Sequence, residues 1–345
     1  MKTRILVTGG TGYIGSHTVV ELQAQGFEVI IIDNLSNSDK NVLDGIAAIS
    51  GEKPAFEQVD LRDEKATAEV FQKYPNIEAV IHFAAYKAVG ESVEKPLDYY
   101  ENNIGSLVNL LKCMRTYEVP NMVFSSSCTV YGQPESLPVT ENAPVQPAAS
   151  PYGNTKQIGE EILQDAINAY PELNAISLRY FNPVGAHDSA LIGELPKGVP
   201  LNLVPFITQT AIGIREKLNV YGSDYNTVDG TCIRDYIHVV DLAKAHIIAA
   251  ERMLQKKGKA AYEFFNLGTG TGSSVLQVIQ AFEKVSGESL NYQLTDRRPG
   301  DVEQIWADTT FANEELGWKS ERDLDNMMAT AWKWEQALKE RVAAI

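Results

Sequence analysis

The chain has 345 residues, 44% apolar and 22% charged, enough to bury a sizeable core and to form about two domains. Its formal net charge of −15 excludes nucleic-acid binding through bulk electrostatics. Anionic phosphate ligands would have to be held by local arginines and backbone N–H groups.

Ile5, Leu6 and Val7 read as a first strand, followed by Thr8-Gly9-Gly10-Thr11-Gly12-Tyr13-Ile14-Gly15 and a helix from Ser16. Glycines 9, 12 and 15 permit a sharp turn, close approach of a phosphate and tight helix–strand packing. The second run, Val29 to Ile32, ends in Asp33, whose carboxylate suits ribose hydroxyls and repels a 2′-phosphate, so NAD is expected over NADP. Phe56 to Asp60 reads as a third strand and Ala79 to Ala84 as a fourth, with His82 taken as a satisfied core residue. Lys87, in the loop after it, is a candidate cofactor contact. Leu97 to Tyr117 suits a long helix, and Met122-Val123-Phe124 opens a fifth strand that runs into Ser125-Ser126-Ser127.

Prolines 134, 138, 144, 147 and 151 mark an irregular surface loop. A helix from Tyr152 to about Ala169 and a sixth strand, Ala175 to Leu178, complete an α/β doubly wound parallel sheet, a Rossmann fold. The expected division is a dinucleotide-binding domain over 1–181 and a smaller α/β substrate domain over 182–345, with some chain crossing back. Gly268 to Gly272 has the wrong glycine spacing for the dinucleotide fingerprint and reads as a structural turn.

No apolar run approaches the roughly twenty residues that span a bilayer, and the first strand begins too early for a signal peptide. The expected location is the cytoplasm. Cys113, Cys128 and Cys232 are too scattered for a disulfide framework or a metal site.

Tyr152 and Lys156 are four apart and share one helix face. A phenol has a pKa near ~10, and a neighbouring ammonium with a nicotinamide cation would favour the phenolate as base. Ser127 would bond the same substrate hydroxyl; its alternative is a strand-end cap.

The glycine loop, Ser127 and Tyr152-x-x-x-Lys156 resemble the extended short-chain dehydrogenase/reductase superfamily. The segments Ile81 to Ser92, Leu178 to Ala186 and Arg234 to Val239 resemble, more narrowly, the UDP-glucose 4-epimerase family, from Ile5 to about Trp318. The resemblance implies tightly held NAD, transient oxidation at sugar C4, turning of the keto sugar and return of hydride, with Tyr152 as acid–base, Lys156 on the nicotinamide ribose and Ser127 on the 4-oxygen. It implies cofactor contacts from Gly9, Gly12, Tyr13, Ile14, Gly15, Asp33, Asn34, Leu35, Ser36, Asn37, Ser38, Asp60, Leu61, Phe83, Ala84, Ala85, Tyr86, Lys87, Asn102 and Phe181. A UDP-sugar would meet Lys87, Asn182, Asn202, Leu203, Val220, Tyr221, Arg234, Arg298, Asp301 and Ile305. A homodimer, with no nucleic-acid or membrane partner, is implied as well.

Related 4,6-dehydratases carry Asp-Glu where Cys128-Thr129 stand here. Keto-sugar epimerase/reductases pair a reactive Cys with a His, which invites a comparison of Cys128 with His187 or His238. A non-catalytic NAD-binding protein would need no Tyr152/Lys156 pair. Ile305 stands where the family varies between tyrosine and small residues, so partial acceptance of N-acetylated UDP-hexosamines is expected.

Overall fold

Apolar runs long enough to be buried on both faces become central parallel strands, and in the computed structural model, which describes residues 2–298 and 301–343, they form a seven-stranded sheet. Its strands are β1 (Arg4–Thr8), β2 (Glu28–Ile32), β3 (Ala55–Glu57), β4 (Ile77–His82), β5 (Asn121–Ser125), β6 (Asn174–Tyr180) and β10 (Tyr262–Leu267). All pairs are parallel, in the order β10-β6-β5-β4-β1-β2-β3. Strand order reverses between β1 and β4, which opens a crevice at their carboxyl ends.

Helices α1 (Tyr13–Ala24), α2 (Val42–Ser50) and α8 (Val239–Leu254) cover one face, where Val19, Leu22, Ile46 and Leu242 share a cluster. Helices α3 (Glu64–Lys73), α5 (Pro96–Thr116) and α6 (Pro151–Ala169) cover the other through Phe71, Leu107, Leu110 and Leu163. A short helix α4 (Val89–Glu94) precedes α5.

The smaller half holds β7 (Asn182–Val184), β9 (Ile233–His238), β11 (Gly272–Ser274) and β13 (Gln304–Ile305) in one sheet, and β8 (Leu218–Tyr221) with β12 (Tyr292–Thr295) in another. Helices α7 (Leu203–Ala211), α9 (Val275–Ser286) and α10 (Leu324–Ala343) bury Ile207, Phe282 and Met328 against it. The chain returns from β9 through α8 to β10 before re-entering the smaller half at β11. Within residues 239–267, α8 packs on the seven-stranded sheet and β10 forms its edge strand.

Two expectations need correction. The third strand stops at Glu57, so Asp60 lies in the turn beyond it. The proline-studded segment is not wholly superficial: Val139 is buried, its N–H donates to the Trp306 carbonyl at 2.9 Å, and its own carbonyl accepts from Asp308 at 2.8 Å. That segment ties the two halves together beside the site.

Four of the five histidines are buried and neutral. Burial lowers His17, His82 and His238 to about 3 and His246 to about 4, from 6.5. The unfolded chain therefore binds more protons than the folded one between these values. Their contribution to stability is full above pH 6.5 and is lost as pH falls toward 4, on the order of 1 kcal/mol per histidine per pH unit. Thermal melts should show the melting temperature falling steadily from pH 7 to 5; a flat profile there would contradict this.

Candidate active site

The turn after β1 closes around two contacts that leave no room for a side chain. Gly9 has φ +70°, and a Cβ on it would lie 2.8 Å from the Ala84 nitrogen; a Cβ on Gly15 would lie 2.2 Å from the Gly9 carbonyl oxygen. Gly12 caps α1 with no side-chain bond, so the N–H groups of Tyr13 and Ile14 at the helix end have no capping side chain over them. A Cβ on Gly12 would meet only the Gly9 carbonyl, at 3.1 Å. This is a cradle that fits a pyrophosphate.

Asp33, just past β2, is buried. It accepts from the Thr11 N–H at 3.2 Å and from the Leu35 N–H and Ser38 hydroxyl at 2.9 Å each. These bonds fix the loop through Asn34, Ser36 and Asn37, while Lys197 reaches across to the Leu35 and Ser36 carbonyls at 3.0 and 3.1 Å. Asn34 donates to Asp60 at 3.2 Å, and the Arg62 guanidinium holds the Asp60 carboxyl down at about 2. Leu61 packs its side chain into the core, and its carbonyl accepts from Asn109 of α5 at 3.1 Å.

After β4, Phe83, Ala84 and Ala85 are half-buried. Asn103 bonds both the N–H and the carbonyl of Tyr86, at 2.8 and 3.0 Å, and reaches the Thr155 hydroxyl at 3.0 Å; Asn102 donates to Asn103 at 2.9 Å. Sequence reasoning placed Asn103 on the helix without seeing this role in fastening the loop to α6. Lys87 is exposed, 3.1 Å from Glu194, which also accepts from Asn202 at 2.7 Å. Glu194 was likewise missed, and it couples a cofactor candidate to a substrate candidate.

Helix α6 starts where the Ser150 hydroxyl accepts from the Gly153 N–H at 3.2 Å, with Pro151 at the first position; both are helix-start signals. That start turns Tyr152 and Lys156 inward to 8% and 4% exposure. The Lys156 ammonium donates to the Ser125 carbonyl and lies 5.9 Å from the Tyr152 ring centre. Burial lowers Lys156 to about 8, against the pull of Glu160. Tyr152 departs from expectation: burial first, then Tyr180, push its phenol up, and the neighbouring Ser127 hydroxyl only partly opposes them. Burial thus favours the neutral phenol, and a phenolate there needs cationic stabilisation. Ser127 also accepts from the Thr129 N–H at 3.2 Å, so it is a cap and a neighbour of Tyr152 at once.

On the substrate side, Ile305 pairs with Arg234 across β13 and β9 and packs in one cluster with Phe181, Tyr131 and Val139. Arg234 is half-buried and donates to the Ile233 and Glu303 carbonyls at 2.8 and 3.5 Å. Asn182 begins β7 beside β9, and Asn202 and Leu203 lie at the start of α7. Val220 is buried in the core of the smaller half, so only its main chain can face a ligand. Arg298 is paired with Asp301 at 2.8 Å and stands 5.5 Å over the exposed ring of Tyr221.

The second glycine-rich loop is occupied by the protein itself: buried Asp235 accepts from the N–H groups of Thr269, Gly270 and Ala307 at 2.8, 3.2 and 3.1 Å. His82 bonds Thr8 at 2.7 Å in the core. His238 caps α8 and meets Thr330 at 3.1 Å, and His187 bonds Ser189 at 2.8 Å. Burial pushes the Cys128 thiol up to about 12, so it lacks both a histidine base and thiolate character.

Over residues 6–331 the chain matches the family model described as GDP-mannose 4,6 dehydratase. It is 52% identical, over 96% of its length and 97% of the relative's, to the UDP-glucose 4-epimerase of Bacillus subtilis (strain 168). The chain belongs to the UDP-glucose 4-epimerase family. Two solved members of the family superpose on it: the Stenotrophomonas maltophila enzyme with bound NAD and formylated UDP-arabinopyranose (TM-score 0.95, 47% identity, 98% and 99% of the two chains), and the Bifidobacterium longum enzyme with NAD+ and UDP (TM-score 0.93, 47% identity, 97% and 98%). The agreement runs through both halves, so the family likeness covers the crevice between them.

Proposed function

We propose that the protein interconverts UDP-glucose and UDP-galactose by transient oxidation at sugar C4. The observation that carries this reading is the burial of Tyr152 and Lys156 together, beside Ser127 past β5, in a sheet whose β1 leads into a cradle shaped for a dinucleotide pyrophosphate. NAD, which the Gly9–Gly15 cradle and Asp33 would hold, would supply the acceptor and donor of the C4 hydride and a cation beside Tyr152. Tyr152 removes the 4-hydroxyl proton as the C–H bond breaks and gives it back when the turned keto sugar is reduced. Ser127 orients the 4-oxygen, and Lys156 holds the nicotinamide ribose while keeping the phenolate stabilised. Asp33 favours NAD by accepting from ribose hydroxyls. Lys87, Arg234 and Arg298 supply the local positive charge on the anionic nucleotide, within an acidic chain. Among the described residues no helix is long and apolar enough to cross a membrane. The cytoplasm, whose reducing conditions suit three free thiols, is where we place it, as the homodimer that the resemblance implies.

Dehydration, the reaction in the name of the matching family model, needs an acid and a base after oxidation. Cys128 stays a thiol at neutral pH and Thr129 does not titrate, so the keto sugar has no partner for loss of water. Incubation of the purified protein with UDP-galactose and no added cofactor tests the reading: UDP-glucose should form without accumulating NADH, whereas a dehydrated product or no product would overturn it. Ile305, 6% exposed, is smaller than tyrosine yet still bulky, and UDP-N-acetylglucosamine should turn over more slowly than UDP-galactose but measurably. Negligible turnover of the N-acetylated sugar beside brisk turnover of UDP-galactose would end that expectation.

A further inference from the structure

Lys156 is a cation with almost no access to water, and its immediate neighbours, the Ser125 carbonyl and the Phe124 ring 5.0 Å away, carry no net charge. One turn further along α6 lies Glu160, 8% exposed. Its carboxylate accepts from the Ser126 hydroxyl at 2.5 Å, next to Ser127, and takes a two-bond fork from Arg179 on β6 at 2.9 and 2.5 Å. Arg179 is itself wedged between the rings of Tyr131 and Phe264, 5.0 and 4.2 Å from its guanidinium carbon, and donates to the Tyr131 hydroxyl at 2.9 Å. The carboxylate therefore has one fixed position, set by two strands and the helix that carries the acid–base pair.

We propose that Glu160 is a positioning residue for catalysis: held by Arg179 and Ser126, its carboxylate keeps Lys156 charged and locks the Ser125–Ser127 strand end against α6. This rests on the acid–base reading of Tyr152 and Lys156 given above. A buried ion pair adds little to stability that apolar side chains of the same volume would not, but it sets a local field where nothing screens it.

The surroundings leave this task to Glu160. Burial lowers Lys156, and Glu160 is the countercharge that opposes it. From β4 His82 faces the ammonium as a neutral ring. Around Tyr152 stand Tyr180 of β6, Tyr99 of α5 and Cys128, each kept in its neutral form by burial. Tyr262 of β10 faces Glu160, and burial keeps it neutral too. Arg179 is the second cation of the group.

The test is the pH dependence of kcat/KM for UDP-galactose in the NAD-loaded enzyme, comparing wild type with Glu160→Gln, Glu160→Asp and the double variant Glu160→Gln/Arg179→Met. Removing the carboxylate lets both Lys156 and Tyr152 release protons more readily, so both limbs of the profile should move to lower pH by about one unit or more. The double variant leaves no orphaned guanidinium, so it remains soluble if the single one does not, and it should move the same way. Glu160→Asp keeps the charge and should keep the limbs in place even if the rate falls. A packing role alone would change the height of the profile and not its position, so unmoved limbs in either charge-removing variant overturn the inference. If wild type shows no alkaline limb, or Tyr152→Phe stays active, the acid–base reading itself has failed; unmoved limbs beside an inactive Tyr152→Phe sink only the role of Glu160.

Discussion

Replacing Tyr152 by phenylalanine should lower turnover by about 10²-fold or more, the scale of losing a positioned acid–base group, while folding and NAD retention stay near wild type. The ring is 8% exposed and packs at the start of α6, and phenylalanine preserves that packing. The hydroxyl has Ser127 as its hydrogen-bonding neighbour, and Ser127 keeps its bond to the Thr129 N–H, so its loss strands no buried group. The proton is another matter. The neighbouring Tyr180 and Cys128 are pushed up to about 12 and His82 down to about 3, so none of these three takes over the proton. Lys156, at about 8, serves through its charge, so wild-type turnover should also decline above pH 8 as the ammonium is lost. Steady-state rates of the variant within a few-fold of wild type would remove Tyr152 from the mechanism.

Gly15→Val should abolish NAD retention and lower stability together. The first added carbon would sit 2.2 Å from the Gly9 carbonyl oxygen and 2.9 Å from the Gly10 Cα. Both are backbone atoms, so no rotamer change relieves the clash, and α1 must lift away from β1 or the turn must open. Overpacking of this kind costs typically about 1–3 kcal/mol, and either movement destroys the cradle at the head of α1. Heat-denatured variant should release no NAD where wild type releases it in proportion to protein, and the melting temperature should fall. A variant carrying a full complement of NAD would show that the turn does not grip the cofactor.

Most of the dinucleotide half could be read from the chain because of where its strands lie. Ile30, Ile31, Val80 and Ile81 are all fully buried, and burial on both faces writes itself into sequence as an unbroken apolar run. Strand β10 lies at the sheet edge, and Tyr-Glu-Phe-Phe-Asn-Leu mixes polar residues into it. Glu263 is there because Arg252 on α8 binds it at 2.8 Å, a long-range partner that no local pattern reveals. The Tyr152/Lys156 pair was legible as a motif, but its electrostatics were not. Burial, which pushes the Tyr152 phenol up and the Lys156 ammonium down, depends on packing from several elements at once. Glu160 left a faint trace, four residues after Lys156 on the same helix face, whereas Asn103 and Glu194 act through loops whose approach is set only in three dimensions. Of the two arginines expected at the nucleotide, Arg298 is in an ion pair with Asp301, while Arg234 makes backbone bonds and lies next to Ile305.

The central claim is that hydride leaves and returns to the same sugar carbon without meeting solvent. UDP-galactose deuterated at C4, converted in ordinary water and analysed by NMR, tests it directly. UDP-glucose that keeps its deuterium at C4 is the predicted result; product in which C4 carries protium drawn from water would contradict the account.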